Sequence, residues 1–353
     1  MEIDRSFWCD KRVVVTGHTG FKGAWLSIWL KSLGAEVYGF SLENVSKSDV
    51  FHHAGLERQI TGTSGDIRNI EAVKTFMKTA RPDVLFHCAA QALVLDSYEN
   101  PASTFHTNVV GTANVLQTSI ESEKRIAVVN VTSDKCYENN ERGTPFAETD
   151  RLGGKDPYSA SKACAEIVAA SYLNIIDQNK DLADIGIASV RAGNVIGGGD
   201  SSPNRLLPDI FRAQSSGDTL FIRNPSAVRP WQHVLEPVSA YLQLAQALYE
   251  SPRTFSEGWN VGPDADENYA VSYIVNAVNE RLPFSFEFGA ESGTGAEATL
   301  LRLDSTKIRN ALDWHSKLGI DDALKATIDW QEALGRNAQM LDVTLEQINR
   351  FTA

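Results

Sequence analysis

Val13-Val14-Val15-Thr16 runs straight into Gly17-His18-Thr19-Gly20-Phe21-Lys22-Gly23. A β-branched run that ends in glycines three apart, followed by helical periodicity, reads as a strand turning tightly into a helix. Without Cβ atoms the turn can be tight and the backbone can approach a pyrophosphate. The helix N-terminus then offers free N–H groups and a partial positive charge to the anion. A plain tight strand–helix turn is the competing reading. The position of the glycines, at the first strand of a long alternating pattern, favours a dinucleotide site.

That pattern predicts strands at Arg12–Thr16, Glu36–Ser41, Arg58–Thr61, Asp83–His87, Ile126–Val131 and Ile185–Arg191. Between them, helical periodicity covers Lys22–Leu33, Asn69–Ala80, Pro101–Ser122 and Asp156–Ile176. The strands are apolar without alternation, as strands buried on both faces are. The expected class is α/β, a doubly wound parallel sheet. After Arg191 the pattern loosens into Gly197-Gly198-Gly199-Asp200-Ser201-Ser202-Pro203, which is turn chemistry. A helix near Glu236–Glu250, short strands near Phe284–Phe288 and Leu300–Leu303, a Gly/Glu-rich loop at Glu287–Gly295 and two closing helices follow. The expected division is a dinucleotide-binding domain, 1–192 with a return segment at about 229–262. A smaller, mostly helical substrate domain takes 193–228 and 263–353.

The net charge of −12 argues against nucleic acid and anionic membranes as partners, since both need clustered positive charge. No apolar run reaches the ~18 residues of a membrane span. The four cysteines, Cys9, Cys88, Cys136 and Cys164, form no CxxC pair and suggest free thiols in a reducing cytosol. With no basic-plus-apolar leader after Met1, a cytoplasmic location is expected. His52-His53 have no third ligand near them in sequence and read as surface residues, so no metal is expected.

At the end of the second strand an acidic residue is expected to hold a ribose 2′-hydroxyl. The chain has Ser41 there, with no arginine immediately after it to recruit a 2′-phosphate, so NAD is favoured over NADP. Asp66, in Gly65-Asp66-Ile67, either accepts from an adenine amino group or serves as a cap for the helix at Asn69. Tyr158 and Lys162 stand four apart, on one face of a predicted helix. A cation ~4–6 Å from a phenol lowers its pKa by ~1–3 units and makes it a usable base toward a sugar hydroxyl. A surface Tyr and a surface Lys are the alternative. The fifth strand ends in Thr132-Ser133-Asp134-Lys135, at the strand terminus where ligands sit in such sheets. Ser133 can hydrogen-bond a reacting hydroxyl, and Asp134 and Lys135 add an acid and a base beside it.

These motifs, with His87-Cys88-Ala89-Ala90-Gln91 and Asn108, resemble the extended short-chain dehydrogenase/reductase family acting on nucleotide sugars. Leu152–Tyr158, Arg191–Asp200 and Arg229-Pro230-Trp231-Gln232-His233-Val234-Leu235-Glu236-Pro237 narrow the likeness to its CDP-glucose 4,6-dehydratases. The resemblance implies a Rossmann fold, NAD as cofactor and CDP-glucose as substrate. It implies cofactor contacts from Gly17, Thr19, Gly20, Phe21, Lys22, Gly23, Ser41, Asp66, Ile67, Ala89, Ala90, Gln91, Asn108, Thr132, Tyr158 and Lys162. It also implies an internal redox dehydration. Tyr158 removes the 4-hydroxyl proton, Ser133 holds the developing carbonyl and Asp134 protonates the departing 6-hydroxyl. Relatives acting on other nucleotides carry an acid after the Asp; here Lys135 either takes the C5 proton or stabilises the enolate. Arg229 is implied on the pyrophosphate, with Asn194, Arg205 and His233 in the substrate cleft. Ser201 stands where the family usually has Trp. The product would feed deoxyhexoses of cell-surface polysaccharide. A nucleotide-sugar C4 epimerase shares everything but the acid for the 6-hydroxyl, and a catalytically silent binding module would lack Tyr158 or Lys162. A homodimer or dimer of dimers is expected through Pro101–Ser122 and Asp156–Ile176, whose Val109, Val110, Val115, Leu116, Ile167, Val168 and Tyr172 exceed the needs of one sheet face.

Overall fold

The computed structural model describes residues 2–43, 49–122, 124–264, 267–289 and 300–353. Seven strands form one parallel sheet: β1 (Arg12–Thr16), β2 (Glu36–Ser41), β3 (Thr61–Ser64), β4 (Val84–His87), β5 (Ile126–Val131), β6 (Ile185–Ala192) and β7 (Gly258–Val261). Their order is β7-β6-β5-β4-β1-β2-β3. The order reverses between β1 and β4, which opens a crevice at the strand C-termini. Every residue of β4, β5 and β6 is buried. Successive side chains feed opposite cores. Val13 and Val15 join Trp8, Trp25 and Trp29 on one face, while Val14 joins Leu85, Val128 and Ile187 on the other.

The third strand lies at Thr61–Ser64, not Arg58–Thr61; Arg58 ends a short 3₁₀ turn. An edge strand of small polar residues, Thr-Gly-Thr-Ser, carries no apolar signature and is specified by its pairing with β2. The helix expected over Pro101–Ser122 is Pro101–Phe105 and Gly111–Ile120 joined by a π-turn at His106–Val110. Leu300–Leu303 forms no strand, only isolated bridges from Leu300 to Val228 and from Leu303 to Phe146. Phe286–Phe288 pairs in parallel with Leu220–Ile222, and residues 290–295 of the expected loop lie outside the described residues.

A separate cluster (Ile196, Leu207, Ile210, Ile274, Val278, Leu324 and others) gathers the later segments. The closing helix Met340–Thr352 does not join it. Met340, Ile348 and Phe351 pack into the β1-side core, with the Phe351 ring 5.8 Å from Trp29.

Candidate active site

Gly17 has φ +71°. A Cβ on it would lie 2.7 Å from the Ala89 nitrogen, and one on Gly23 would lie 2.2 Å from the Gly17 carbonyl oxygen. Both positions therefore exclude any side chain. A Cβ on Gly20 would meet only the Gly17 oxygen, at 3.4 Å, so that surface is open to an incoming group. The helix Phe21–Ser32 starts there with no side chain capping its N–H groups. This fits a pyrophosphate, and the residues present suit a dinucleotide.

Ser41 is already engaged. Its hydroxyl pairs with His18 Nδ1 at 2.8 Å and accepts from the Thr19 N–H at 3.4 Å. Burial pushes His18 down to about 4, so its ring is neutral. Asp66 does not cap the following helix; Asn69 does, accepting from the N–H groups of Glu71 and Ala72. Asp66 forms a forked pair with Arg68, whose hydrogen bonds hold its carboxyl below the usual range. Ile67 is buried, its carbonyl accepting from Asn114 at 2.9 Å. Asn108, on the π-turn, receives the Gln91 N–H at 2.8 Å and donates to the Gln91 carbonyl and the Ser161 hydroxyl. It braces the loop after β4 against the helix Pro157–Gln178. In that loop, the Ala89 N–H donates to the Thr16 hydroxyl at 3.3 Å and Ala90 follows half-buried. The Thr132 hydroxyl donates to Glu166 and to the Val190 carbonyl.

Beside this turn lies a cavity of about 320 Å³. Tyr158, Ser133, Asp134, Lys135 and Lys22 line it, as do Asn194, Arg205 and Arg229. Sequence-distant residues from the ends of β1, β5 and β6 thus meet at one place. His233 does not join them. It is fully buried, with its ring 5.8 Å from Trp25 and pushed down to about 3 by desolvation. Its position in a polar-looking motif concealed a core contact.

Asp156 caps the helix Pro157–Gln178 through Ser159, and the buried Ser97 hydroxyl accepts the Tyr158 N–H at 3.1 Å. The Tyr158 phenol is pushed up to about 12 by burial, with the Ser133 hydroxyl bond and Arg205 working against this. The expected lowering by Lys162 is absent. The ammonium shares the helix face, but it donates to the Val131 carbonyl at 3.2 Å. Burial and Lys22 push Lys162 down to about 8; burial and Arg205 do the same to Lys22. Ser133 donates to Asp134 at 2.9 Å. Asp134 is buried, and desolvation raises its pKa against Lys135, Ser133, Arg229 and Lys22. Its Oδ2 has no hydrogen-bond partner among the described residues. Arg205 pairs with Asp200 at 2.9 Å, and an Arg229 N–H donates to the Val228 carbonyl at 2.9 Å.

Three supporting residues escaped the sequence reading. Gly193 makes room for Asp134, since a Cβ there would lie 2.1 Å from Oδ2; a lone glycine after a buried strand is the available signal. Glu166, eight residues after Tyr158, holds the Thr132 hydroxyl and a buried Arg191 at 2.8 Å. Ser97 carried no signal.

Residues 13–262 match the model of the NAD dependent epimerase/dehydratase family. The chain belongs to this family. It is 42% identical to the CDP-glucose 4,6-dehydratase of Salmonella typhimurium, over 99% of this chain and 98% of that one. Identity to the CDP-paratose 2-epimerase of Salmonella typhi is 22%, over 92% and 100%. Among solved folds, the dTDP-glucose 4,6-dehydratase DesIV of Streptomyces venezuelae, with NAD and TYD bound, superposes with a TM-score of 0.78 at 20% identity, covering 92% and 98%.

Proposed function

We propose that this family member is a CDP-glucose 4,6-dehydratase, forming CDP-4-dehydro-6-deoxyglucose and water. The carrying observation is Asp134: a buried carboxyl, biased toward its protonated form and with one oxygen uncommitted, on the same cavity floor as Tyr158. An epimerase acting at C4 has no use for that acid. The 42% identity along the full chain supports the same reading.

NAD, held on the turn of Gly17, Gly20 and Gly23, supplies a two-electron acceptor for C4 and a donor for C6. The protein's own residues manage the protons. Tyr158 takes the proton of the 4-hydroxyl, with Lys162 adding positive charge from the same helix face. Ser133 donates a hydrogen bond to that oxygen as it becomes a carbonyl, which acidifies C5–H. Asp134 gives its proton to the 6-hydroxyl, which leaves as water. Lys135, on the same turn, takes the C5 proton or stabilises the enolate. Arg229 and Arg205 face the diphosphate as charge-assisted donors, and Asn194 lines the sugar end. Residues 193–228 and 263–353 serve as the sugar-nucleotide part, with Ile308, Leu312, Trp314, Trp330 and the closing helix tying it into the β1-side core. Among the described residues no helix is long and apolar enough to cross a membrane; a cytoplasmic enzyme of deoxyhexose formation for cell-surface polysaccharide is the setting that fits.

Assembly is read as a homodimer or a dimer of such dimers. Val115 and Leu116 belong to the sheet-side core, but Phe105, Val110 and Ile167 stay exposed along the two helices.

Deuterium placed at C4 of CDP-glucose should appear in the C6 methyl of the same molecule, with solvent hydrogen at C5. Asp134→Asn should allow oxidation at C4 and then stall, seen as NADH absorbance with little methyl product. An inverted C4 hydroxyl with the 6-hydroxyl intact would move the assignment to an epimerase.

A further inference from the structure

The cavity is graded from floor to mouth. Tyr158, Ser133, Asp134 and Arg229 are buried; on another side, Phe221 is 60% exposed and Arg223 is exposed. A hexose whose C4 lies at Tyr158 carries its diphosphate on C1, across the ring. The nucleoside is therefore led away from the floor, toward the exposed side. Phe221 lies in the short strand Leu220–Ile222 and Arg223 follows at the bend that ends it, and both line the cavity. Gly289 leaves room for the Phe221 ring, since a Cβ there would lie 2.7 Å from its Cζ. An exposed aromatic face fixed in this way is a stacking platform for a base.

We infer that Arg223 reads the pyrimidine stacked on Phe221 and selects cytosine over uracil and thymine. The inference rests on the dehydratase reading of the same cavity. Arg205 and Arg229 are committed to Asp200 and to the Val228 carbonyl, whereas Arg223 makes no hydrogen bond or ion pair among the described residues. Its guanidinium presents two parallel N–H donors. Cytosine offers N3 and O2 as two adjacent acceptors. Uracil and thymine present N3–H beside O2, so one donor of the pair would face another donor. A matched bidentate contact of this type discriminates by roughly tenfold or more.

The test compares wild type, Arg223→Ala and Phe221→Ala, each loaded with NAD. Calorimetry measures CDP and UDP binding, and kcat/KM is measured for CDP-glucose and UDP-glucose. Wild type should prefer the cytidine member of each pair. Arg223→Ala should lose roughly tenfold or more of that preference, through weaker CDP binding. Phe221→Ala should weaken both nucleotides alike. Equal loss for CDP and UDP in Arg223→Ala would make Arg223 a phosphate contact and overturn the inference, as would an unchanged ratio or a wild type with no cytidine preference. Failure of wild type to dehydrate CDP-glucose overturns the dehydratase reading instead, and the CDP-to-UDP binding ratio still tests Arg223.

Discussion

Gly193→Ala adds a single methyl group at the end of β6, and the structure says where it goes. The new Cβ would stand 2.1 Å from Asp134 Oδ2, 2.8 Å from its Cγ and 3.0 Å from Pro230 Cγ, whereas real Cβ contacts essentially never fall below 3.0 Å. The carboxyl must retreat by ~1 Å or the strand end must shift, and a misplacement of that size costs about 10²-fold in rate. Overpacking of this kind also costs about 1–3 kcal/mol in stability, so the variant should still fold, with a lower Tm. Two rates separate the steps: NADH appearance in a single turnover, and formation of methyl product. Oxidation at C4 should survive within several-fold, while methyl product should fall about 10²-fold. A double-mutant cycle isolates the cause. On an Asp134→Ala background the clashing oxygens are gone, and Gly193→Ala should then cost little more. A Gly193→Ala enzyme that folds and forms product within a few-fold of wild type would refute the reasoning, and so would full additivity in the cycle.

Glu236 is buried at the start of the helix Leu235–Glu250 and accepts the N–H groups of Lys317 and Leu318. Burial pushes its carboxyl from 4.5 up to about 7. The folded state therefore holds this proton more tightly, giving stability that is full below pH ~4.5 and lost as pH rises through ~7, by about 3 kcal/mol at most. Urea unfolding of Glu236→Gln should show a flatter stability between pH 5 and 8 than wild type; parallel curves would exclude the effect. Glu166→Ala leaves Arg191 buried without its carboxylate, so it should lose about 3–5 kcal/mol, and a Tm close to wild type would rule out the clamp. Sedimentation at micromolar concentration should give at least twice 38.7 kDa, and a mass of one chain would refute the dimer.

Most of the sheet was legible because central parallel strands must be apolar on both faces, and β4, β5 and β6 are. The edge strand β3 was displaced because nothing apolar marks Thr61–Ser64. The π-turn at His106–Val110 was hidden because it continues a helical pattern, while the contacts that hold Asn108 come from Gln91 and Ser161, far away in sequence. Glycine spacing marked the turn at Gly17, the strand terminus marked Ser133 and Asp134, and helical spacing marked Tyr158 and Lys162. Their electrostatics were not legible. Helical spacing puts Lys162 on the face of Tyr158, but only coordinates reveal the Val131 carbonyl that takes its ammonium. The same limit applies to His233, whose motif says nothing of Trp25.

Burial acts on four ionisable groups at and beside the floor in one direction, toward the neutral form. It raises Tyr158 and Asp134 and lowers Lys22 and Lys162. For the acid role proposed for Asp134 this bias is favourable, because an acid must hold its proton until the leaving group departs. For Tyr158 it opposes the task, and positive charge must offset it. Arg205 does so already, beside the Ser133 hydrogen bond. Arg205 adds to the burial that brings Lys22 near 8, and Lys22 adds to the burial that brings Lys162 there. A diphosphate bound beside Lys22 would favour its charged form again. Tyr158 and Asp134, the proposed base and acid, line one cavity with Ser133 beside both: its hydroxyl donates to Asp134 at 2.9 Å and its hydrogen bond holds the phenol down against burial.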